Sequence, residues 1–204
     1  FKREDLSPTG SHKANAAIPQ VYYAKQQGLE GLTTETGAGQ WGAALSFAGS
    51  LYGLNVKVFQ VRISYEQKPG RLVLMRSFGA EVIASPSNQT KAGRTLYDKD
   101  PNHPGALGIA ISEAVEASIG SDKLRYTLGS VVDFVCIYQS VIGQEAKIQM
   151  EMVNDYPDVI IGSIGGGSNF SGIALPFMKD KLEGTKPDLD FIGVEPAACP
   201  SMTR

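Results

Sequence analysis

The 204-residue sequence has only two cysteines, two histidines and one tryptophan, and no apolar run approaches the ~20 residues of a membrane-spanning helix. Cys136 and Cys199 form no CxxC pair and no disulfide framework, which favours a reducing compartment such as the cytoplasm. His12 and His103 show no metal-ligand spacing, so we expect no metal site. With 19 basic and 21 acidic residues interspersed, the net charge of −2 provides no basic surface for nucleic acid or an anionic membrane.

Apolar strands alternate with helices, which predicts an α/β fold with a parallel sheet covered on both faces. We expect strands near residues 1–3, 32–35, 56–61, 80–84, 158–164 and 191–195. Helices are expected near residues 12–28, 40–52, 69–78, 109–119, 141–153 and from 168 onward. Because the sequence begins at Phe1 within a predicted strand and stops at Arg204 without a closing element, we expect an internal piece of a longer protein, incomplete at both ends and inactive alone.

Lys13 is the first candidate for chemistry. It lies at the start of a predicted helix, which the hydroxyl of Thr9 or Ser11 is placed to cap. The helix dipole disfavours a positive charge there, which suits an amine that must lose its proton and attack a carbonyl. The alternative is a solvated lysine near a helix start. His12 is expected to pack against whatever Lys13 holds.

Gly165-Gly166-Gly167-Ser168-Asn169 joins a predicted strand to a helix. The glycines bare backbone N–H groups, the helix supplies the positive end of its dipole, and Ser168 and Asn169 add side-chain donors, which together predict a phosphate cup. The segment is not a Walker loop, because no Gly-Lys-Ser/Thr follows. The alternative is a flexible turn.

Glu35-Thr36-Gly37-Ala38-Gly39-Gln40-Trp41-Gly42 permits two interpretations. Its glycines match the dinucleotide fingerprint GxGxxG, although the next strand ends at Arg62 rather than at an acid that would hold a ribose. The loop also suits a nest for a carboxylate, with Glu35 beside it as an acid/base whose pKa burial would raise. Glu35 as a solvated carboxylate, and Trp41 as either core or pocket wall, remain open.

Lys13, Glu35 and the glycine cup each follow a predicted strand, so we expect them at one edge of the sheet, where α/β proteins bind ligands. A reactive lysine, a phosphate cup and a carboxylate nest together suggest pyridoxal phosphate.

Four segments, in this order and spacing, resemble the β subunits of tryptophan synthase, which belong to the fold-type II pyridoxal-phosphate enzymes: Lys2-Arg3-Glu4-Asp5-Leu6, Thr9-Gly10-Ser11-His12-Lys13, Glu35-Thr36-Gly37-Ala38-Gly39-Gln40 and Gly165-Gly166-Gly167-Ser168-Asn169. Ser7-Pro8 and Trp41 resemble the second lineage of that family. The resemblance implies a three-layer parallel-sheet architecture with two interleaved domains. Residues 1–11 and 139–204 would belong to the C-terminal domain, and residues 12–138 to the N-terminal one, with a mobile subdomain over about 28–129.

The resemblance also implies roles for individual residues. Lys13 would be the Schiff-base lysine and Glu35 the acid/base. Cofactor binding is implied for His12, Lys13, Gln40, Ser130, Gly165, Gly166, Gly167, Ser168 and Asn169. Binding of the substrate carboxylate is implied for Thr36, Gly37, Ala38, Gly39 and Gln40. The partner of the pyridine nitrogen would lie outside this chain.

The implied reaction condenses L-serine, or O-phosphoserine, with indole to give L-tryptophan. A homodimer and a possible α-type subunit are the implied partners. Two alternatives stay open. One is a different pyridoxal-phosphate enzyme, such as a serine or threonine deaminase or another β-replacement enzyme. The other is a dinucleotide-binding domain that uses Gly37-Ala38-Gly39-Gln40-Trp41-Gly42.

Overall fold

The computed structural model describes residues 1–203, which divide into two compact units. One unit is Glu4–Leu128, and the other joins Phe1–Arg3 to the chain from Gly129 onward. None of the helices in residues 1–203 is long and apolar enough to cross a membrane. Across the same residues, no three His, Cys, Asp or Glu side chains cluster in a way that could hold a metal ion.

The unit Glu4–Leu128 is built on a parallel sheet of four strands in the order β3-β2-β1-β4. Its strands are β1 (Gly31–Thr36), β2 (Asn55–Val61), β3 (Glu81–Ser85) and β4 (Leu124–Tyr126). A short 3-10 helix (Glu4–Leu6) precedes its α-helices, which are α1 (Ala14–Gln26), α2 (Gln40–Tyr52), α3 (Arg62–Gln67), α4 (Pro69–Ser77), α5 (Lys91–Tyr97) and α6 (Leu107–Ser118).

Helices cover both faces of this sheet, so every residue of β1 is buried. One face packs against α1, α2 and α4 in the larger core, and the other packs Phe59 and Val61 against α6. Small residues let α2 lie close to the sheet, since a Cβ at Gly49 would fall 2.5 Å from Val56. The α/β class and the covered parallel sheet are therefore confirmed, and Trp41, which is 5% exposed, belongs to the larger core.

The second unit holds a separate pair of parallel strands, β5 (Val159–Ser163) and β6 (Asp190–Val194). Its helices are α7 (Asp133–Gln139), α8 (Val141–Met152) and α9 (Ser168–Leu182). Buried Ile160, Ala174, Phe177 and Leu189 form its core. The helix α9 follows β5 after the three glycines, as the sequence predicts.

Two expectations about the sheet are wrong. Phe1–Arg3 is not a strand, because it pairs with no strand within residues 1–203, and the side chain of Lys2 makes an ion pair of 2.6 Å with Glu145. The strands of the described chain also form two sheets instead of one, so Lys13 and the triple glycine do not follow strands of the sheet that carries Glu35. The other five predicted strands are confirmed within two residues at each end.

Candidate active site

Lys13 lies at the N-cap position of α1, one residue before the helix itself, so the expected place in the first turn is displaced by a residue. Its carbonyl accepts hydrogen bonds from the N–H groups of Ala16 and Ala17, both at 3.1 Å. Its own N–H donates to the hydroxyl of Ser11 at 3.4 Å. The capping predicted for Thr9 is wrong, because the buried hydroxyl of that residue has no hydrogen-bond partner within the described chain.

The surroundings of Lys13 favour its neutral amine. Burial lowers the pKa of Lys13, and the negative charge of Glu35 opposes that shift. Burial, followed by the charge of Lys13, lowers the pKa of His12 to about 4. His12 is therefore neutral at pH 7. A larger fraction of Lys13 is in the neutral amine form than for a solvated lysine, so the alternative of a solvated Lys13 is excluded.

Glu35, on β1, is only 8% exposed, so the alternative of a solvated carboxylate is excluded. Burial raises the pKa of Glu35, while a hydrogen bond from Tyr126 and the charge of Lys13 oppose the shift. The hydroxyl of Tyr126 donates to Oε2 of Glu35 at 2.6 Å. A carboxyl with a raised pKa, held in a fixed position by Tyr126 and coupled to the amine of Lys13, suits a group that gives and takes protons.

The loop after Glu35 leads from β1 into α2. Gly39 is the N-cap residue of α2 with a φ of 96°, a left-handed conformation that glycine adopts most readily. Thr36 accepts a hydrogen bond on its hydroxyl from the N–H of Gly42 at 3.2 Å. The N–H groups of the two residues before Gly42 in α2 have no carbonyl partner in the helix, so they are available to an anion such as a carboxylate.

The dinucleotide alternative finds little support at Arg62. That interpretation needs a group after β2 to bind the ribose or its phosphate. Nη2 of Arg62 instead donates to the carbonyls of Ala84 and Pro86, and the guanidinium lies over the ring of Tyr97, 5.5 Å from its centroid.

The glycine turn before α9 has the features of a phosphate cup. Gly167 is the N-cap residue of this 15-residue helix and has a φ of 92°. A Cβ at Gly166 would fall 2.6 Å from Oγ of Ser130, so a larger residue does not fit there. The N–H of Val131 donates to the carbonyl of Gly166 at 3.1 Å, which fastens Ser130 beside the turn. Backbone N–H groups, a helix N-terminus and serine hydroxyls are donors that fit a phosphate monoester.

The structure thus groups the predicted residues within each unit. His12, Lys13 and Glu35 interact in Glu4–Leu128, and the loop of Thr36, Gly37, Ala38, Gly39 and Gln40 begins at the next residue. Ser130 lies beside the cup of Gly165, Gly166, Gly167, Ser168 and Asn169 in the other unit. Sequence reasoning missed Tyr126, because its strand has only three residues and no readable periodicity.

All 204 residues match the family model described as pyridoxal-phosphate dependent enzyme. The chain belongs to this family of enzymes, which agrees with the amine of Lys13 and the phosphate cup before α9. The predicted fold class and cofactor are confirmed. It is 59% identical over 204 residues to the tryptophan synthase beta chain of Thermococcus onnurineus, covering 100% of this chain and 46% of that protein. It is 53% identical to tryptophan synthase beta chain 2 of Thermotoga maritima, covering 100% of this chain and 48% of the relative.

Solved structures are similar in fold. Threonine deaminase isoform 2 from Solanum lycopersicum superposes with a TM-score of 0.72 at 22% identity, over 98% of this chain and 50% of that one. Serine racemase from Dictyostelium discoideum gives a TM-score of 0.66 at 21% identity, over 97% of this chain and 54% of that one. At such identities the likeness shows the fold alone. The chain spans about half the length of the curated relatives that it matches, with 46% for the first of them.

Proposed function

We propose that the whole protein condenses L-serine with indole, giving L-tryptophan and water. The observation that carries the proposal is the buried Glu35, hydrogen-bonded to Tyr126 and coupled in charge to Lys13. The identity of 53–59% to proteins named tryptophan synthase beta chain supports this substrate pair over that of the deaminases, which are alike in fold at 21–22% identity.

The cofactor-binding roles divide between the two units. Lys13 would hold pyridoxal phosphate through Nζ, for which its lowered pKa prepares it. Gly165, Gly166, Gly167, Ser168 and Asn169, with Ser130, would bind the phosphate. His12, neutral at pH 7, would pack against the cofactor and aid the binding of its phosphate, and Gln40 would contact the cofactor. When bound, the cofactor supplies an electrophilic carbon and a conjugated ring that stores the electron pair of the Cα–H bond.

The reaction on the substrate would need two residues to move protons. Nζ of Lys13, displaced by the amine of L-serine, would remove the Cα proton. The carboxyl of Glu35 would give a proton to the departing β-hydroxyl, which leaves as water, and would then hold the indole N–H while indole C3 attacks. The raised pKa of Glu35 suits the first of these tasks, because it keeps the carboxyl protonated to a higher pH than that of an exposed glutamate.

The loop from Thr36 to Gln40 would bind the carboxylate of L-serine or O-phosphoserine. Closure of a mobile subdomain over about residues 28–129 would keep water out while the reaction proceeds. This subdomain belongs to the proposed N-terminal domain of residues 12–138, with residues 1–11 and 139–204 in the C-terminal one. We further propose a cytoplasmic homodimer, open to an α-type subunit, and the free thiols of Cys136 and Cys199 fit that compartment.

The test combines product analysis with one substitution in the full-length protein. Wild type with pyridoxal phosphate and L-serine should form L-tryptophan only when indole is added. Glu35→Ala should keep the visible absorbance of the bound cofactor and lose about 10²–10⁴-fold in rate. The exposed Glu30, paired with Lys123 at the surface, offers Glu30→Ala as a matched control with normal turnover. Keto acid as the product with or without indole would indicate a deaminase instead.

A further inference from the structure

Gln60 near the end of β2 has a buried amide without a partner. Its side chain is 0% exposed, and neither Oε1 nor Nε2 has a hydrogen-bond partner within the described chain. Its neighbours along the strand, Phe59 and Val61, pack into a core cluster on the other face. Because an unpaired buried amide lowers the stability of a folded protein, an apolar residue of similar size would serve the fold better.

The position of this amide relates it to the carboxylate loop. In the sheet Gln60 pairs with Thr36, the last residue of β1. Gln60 lies on the face that carries α2, because Val58, two residues earlier, contacts Gly42 of that helix. A Cβ at Gly39 would fall 3.2 Å from Nε2 of Gln60, so the amide touches the N-cap residue of α2.

Arg71 of α4 lies against the same side of Gly39 as the amide of Gln60. The same Cβ would lie 2.9 Å from Cβ of Arg71. Nη1 of Arg71 donates to the carbonyl of Thr9 at 2.9 Å, which fixes the stem of this side chain against the loop. Where a Cβ of Gly39 would stand, a fixed side chain and an unpaired amide meet, so small shifts of the loop change the contacts of Gln60 directly.

The geometry points to Gln60 as a positioning residue for the loop of Thr36–Gln40. Its amide pairs with peptide groups of the loop when a carboxylate binds at the N-terminus of α2, and so favours the bound form of the loop. Without a bound carboxylate, the unpaired amide raises the free energy of the protein, and carboxylate binding removes this penalty. This inference rests on the proposed function, because that function supplies the amino-acid carboxylate.

The experiment compares two substitutions in the full-length, cofactor-loaded protein. Gln139 is the matched control, since it is also 0% exposed with both amide atoms unpaired, and it packs against Gly172 in the other unit. Gln60→Met and Gln139→Met both remove an unpaired amide and keep the side-chain length. We expect both variants to melt at or above the wild-type temperature. Only Gln60→Met should raise the KM for L-serine, by about tenfold, with kcat and the KM for indole within twofold.

Each outcome decides the inference. An unchanged KM for L-serine in Gln60→Met would overturn it, and so would a loss of stability or folding in Gln60→Met alone, because the amide would then be a structural group. Gln60→Glu gives a second measurement, since a carboxylate beside the loop should raise the KM for L-serine further than methionine does. A wild type that neither binds the cofactor nor reacts with L-serine would overturn the proposed function and this inference together. An active wild type with an indifferent Gln60 overturns only the latter.

Discussion

The phenol of Tyr126 donates a hydrogen bond of 2.6 Å to Oε2 of Glu35, which joins β4 to β1. Burial and the neighbouring carboxylate raise the pKa of Tyr126, so the phenol remains a donor at neutral pH. Because this hydrogen bond opposes the effect of burial on Glu35, the two side chains together set the proton affinity of the carboxyl.

Tyr126→Phe should raise the pKa of Glu35, because the donor that stabilises the carboxylate is lost. The limb of the pH–rate profile that reports Glu35 should therefore move to higher pH. Turnover at pH 7 should fall by about tenfold, less than in Glu35→Ala, because the carboxylate that holds the indole N–H forms less readily and is no longer fixed by the phenol. The measurement is the pH dependence of kcat/KM in the full-length protein. A profile that coincides with the wild type would show that Tyr126 does not tune Glu35.

Lys13→Ala should abolish covalent attachment of the cofactor while leaving the fold intact, since the variant removes a buried amine whose charge burial already disfavours. Borohydride reduction followed by peptide mapping should give a pyridoxyl group on Lys13 in the wild type and on no residue in the variant. Lys25→Ala is the control, because Lys25 is exposed on the same helix and its loss should leave the adduct unchanged. An adduct on another lysine of the wild type would contradict the assignment.

His12→Gln should make the cofactor-free protein less sensitive to acid. The pKa of His12 falls from 6.5 to about 4 on folding, so the unfolded chain binds a proton there first as the pH drops. The wild type consequently loses stability from this residue between about pH 6.5 and 4, and loses none of it at higher pH. Urea denaturation at pH 7 and pH 5 should show a smaller decrease in the variant. Equal decreases would indicate that His12 titrates normally in the folded state.

Gly166→Ala should weaken binding of pyridoxal phosphate, because the added Cβ would lie 2.6 Å from Oγ of Ser130 and push apart the two segments of the cup. We expect the dissociation constant to rise by at least about tenfold, a change that one lost hydrogen bond already produces. Gly108→Ala is the control, since a Cβ there meets nothing within 4 Å. The measurement is an absorbance titration with pyridoxal phosphate. Equal affinities in the two variants would show that the glycine turn before α9 does not bind the cofactor.

Several parts of this architecture are accessible from the sequence because they depend on local patterns. The strand β1 is rich in β-branched residues, β2 is mostly apolar and β5 opens on an apolar run, each next to turn residues, and the helix α9 follows directly from three glycines. The short elements escape such reasoning. The strand β4 and the helices α3, α5 and α7 have three to seven residues, which is too few for a period to show.

The residues around the site divide in the same way. Lys13 and Glu35 stand at element boundaries with motifs beside them. Tyr126 lies 91 residues from Glu35 in the sequence and reaches it only because β4 pairs with β1. The sequence gives one indication of Gln60, which is the single amide among the apolar residues from Val58 to Val61. The number of sheets depended on the pairing of distant strands, which no local pattern encodes.

The strand order β3-β2-β1-β4 also bears on how the protein is made. The strands β1, β2 and β3 leave the ribosome in succession and have their partners at once. The edge of β1 that receives β4 stays open until residue 126 has been synthesised, because Thr33 pairs with Tyr126. Glu35 therefore acquires its hydrogen-bond donor only after a long loop has closed, which is an entropically costly and slow step. We expect nascent chains that end before β4 to hold this carboxyl without its phenol, and the acid of the site to mature only when the last strand of its sheet docks.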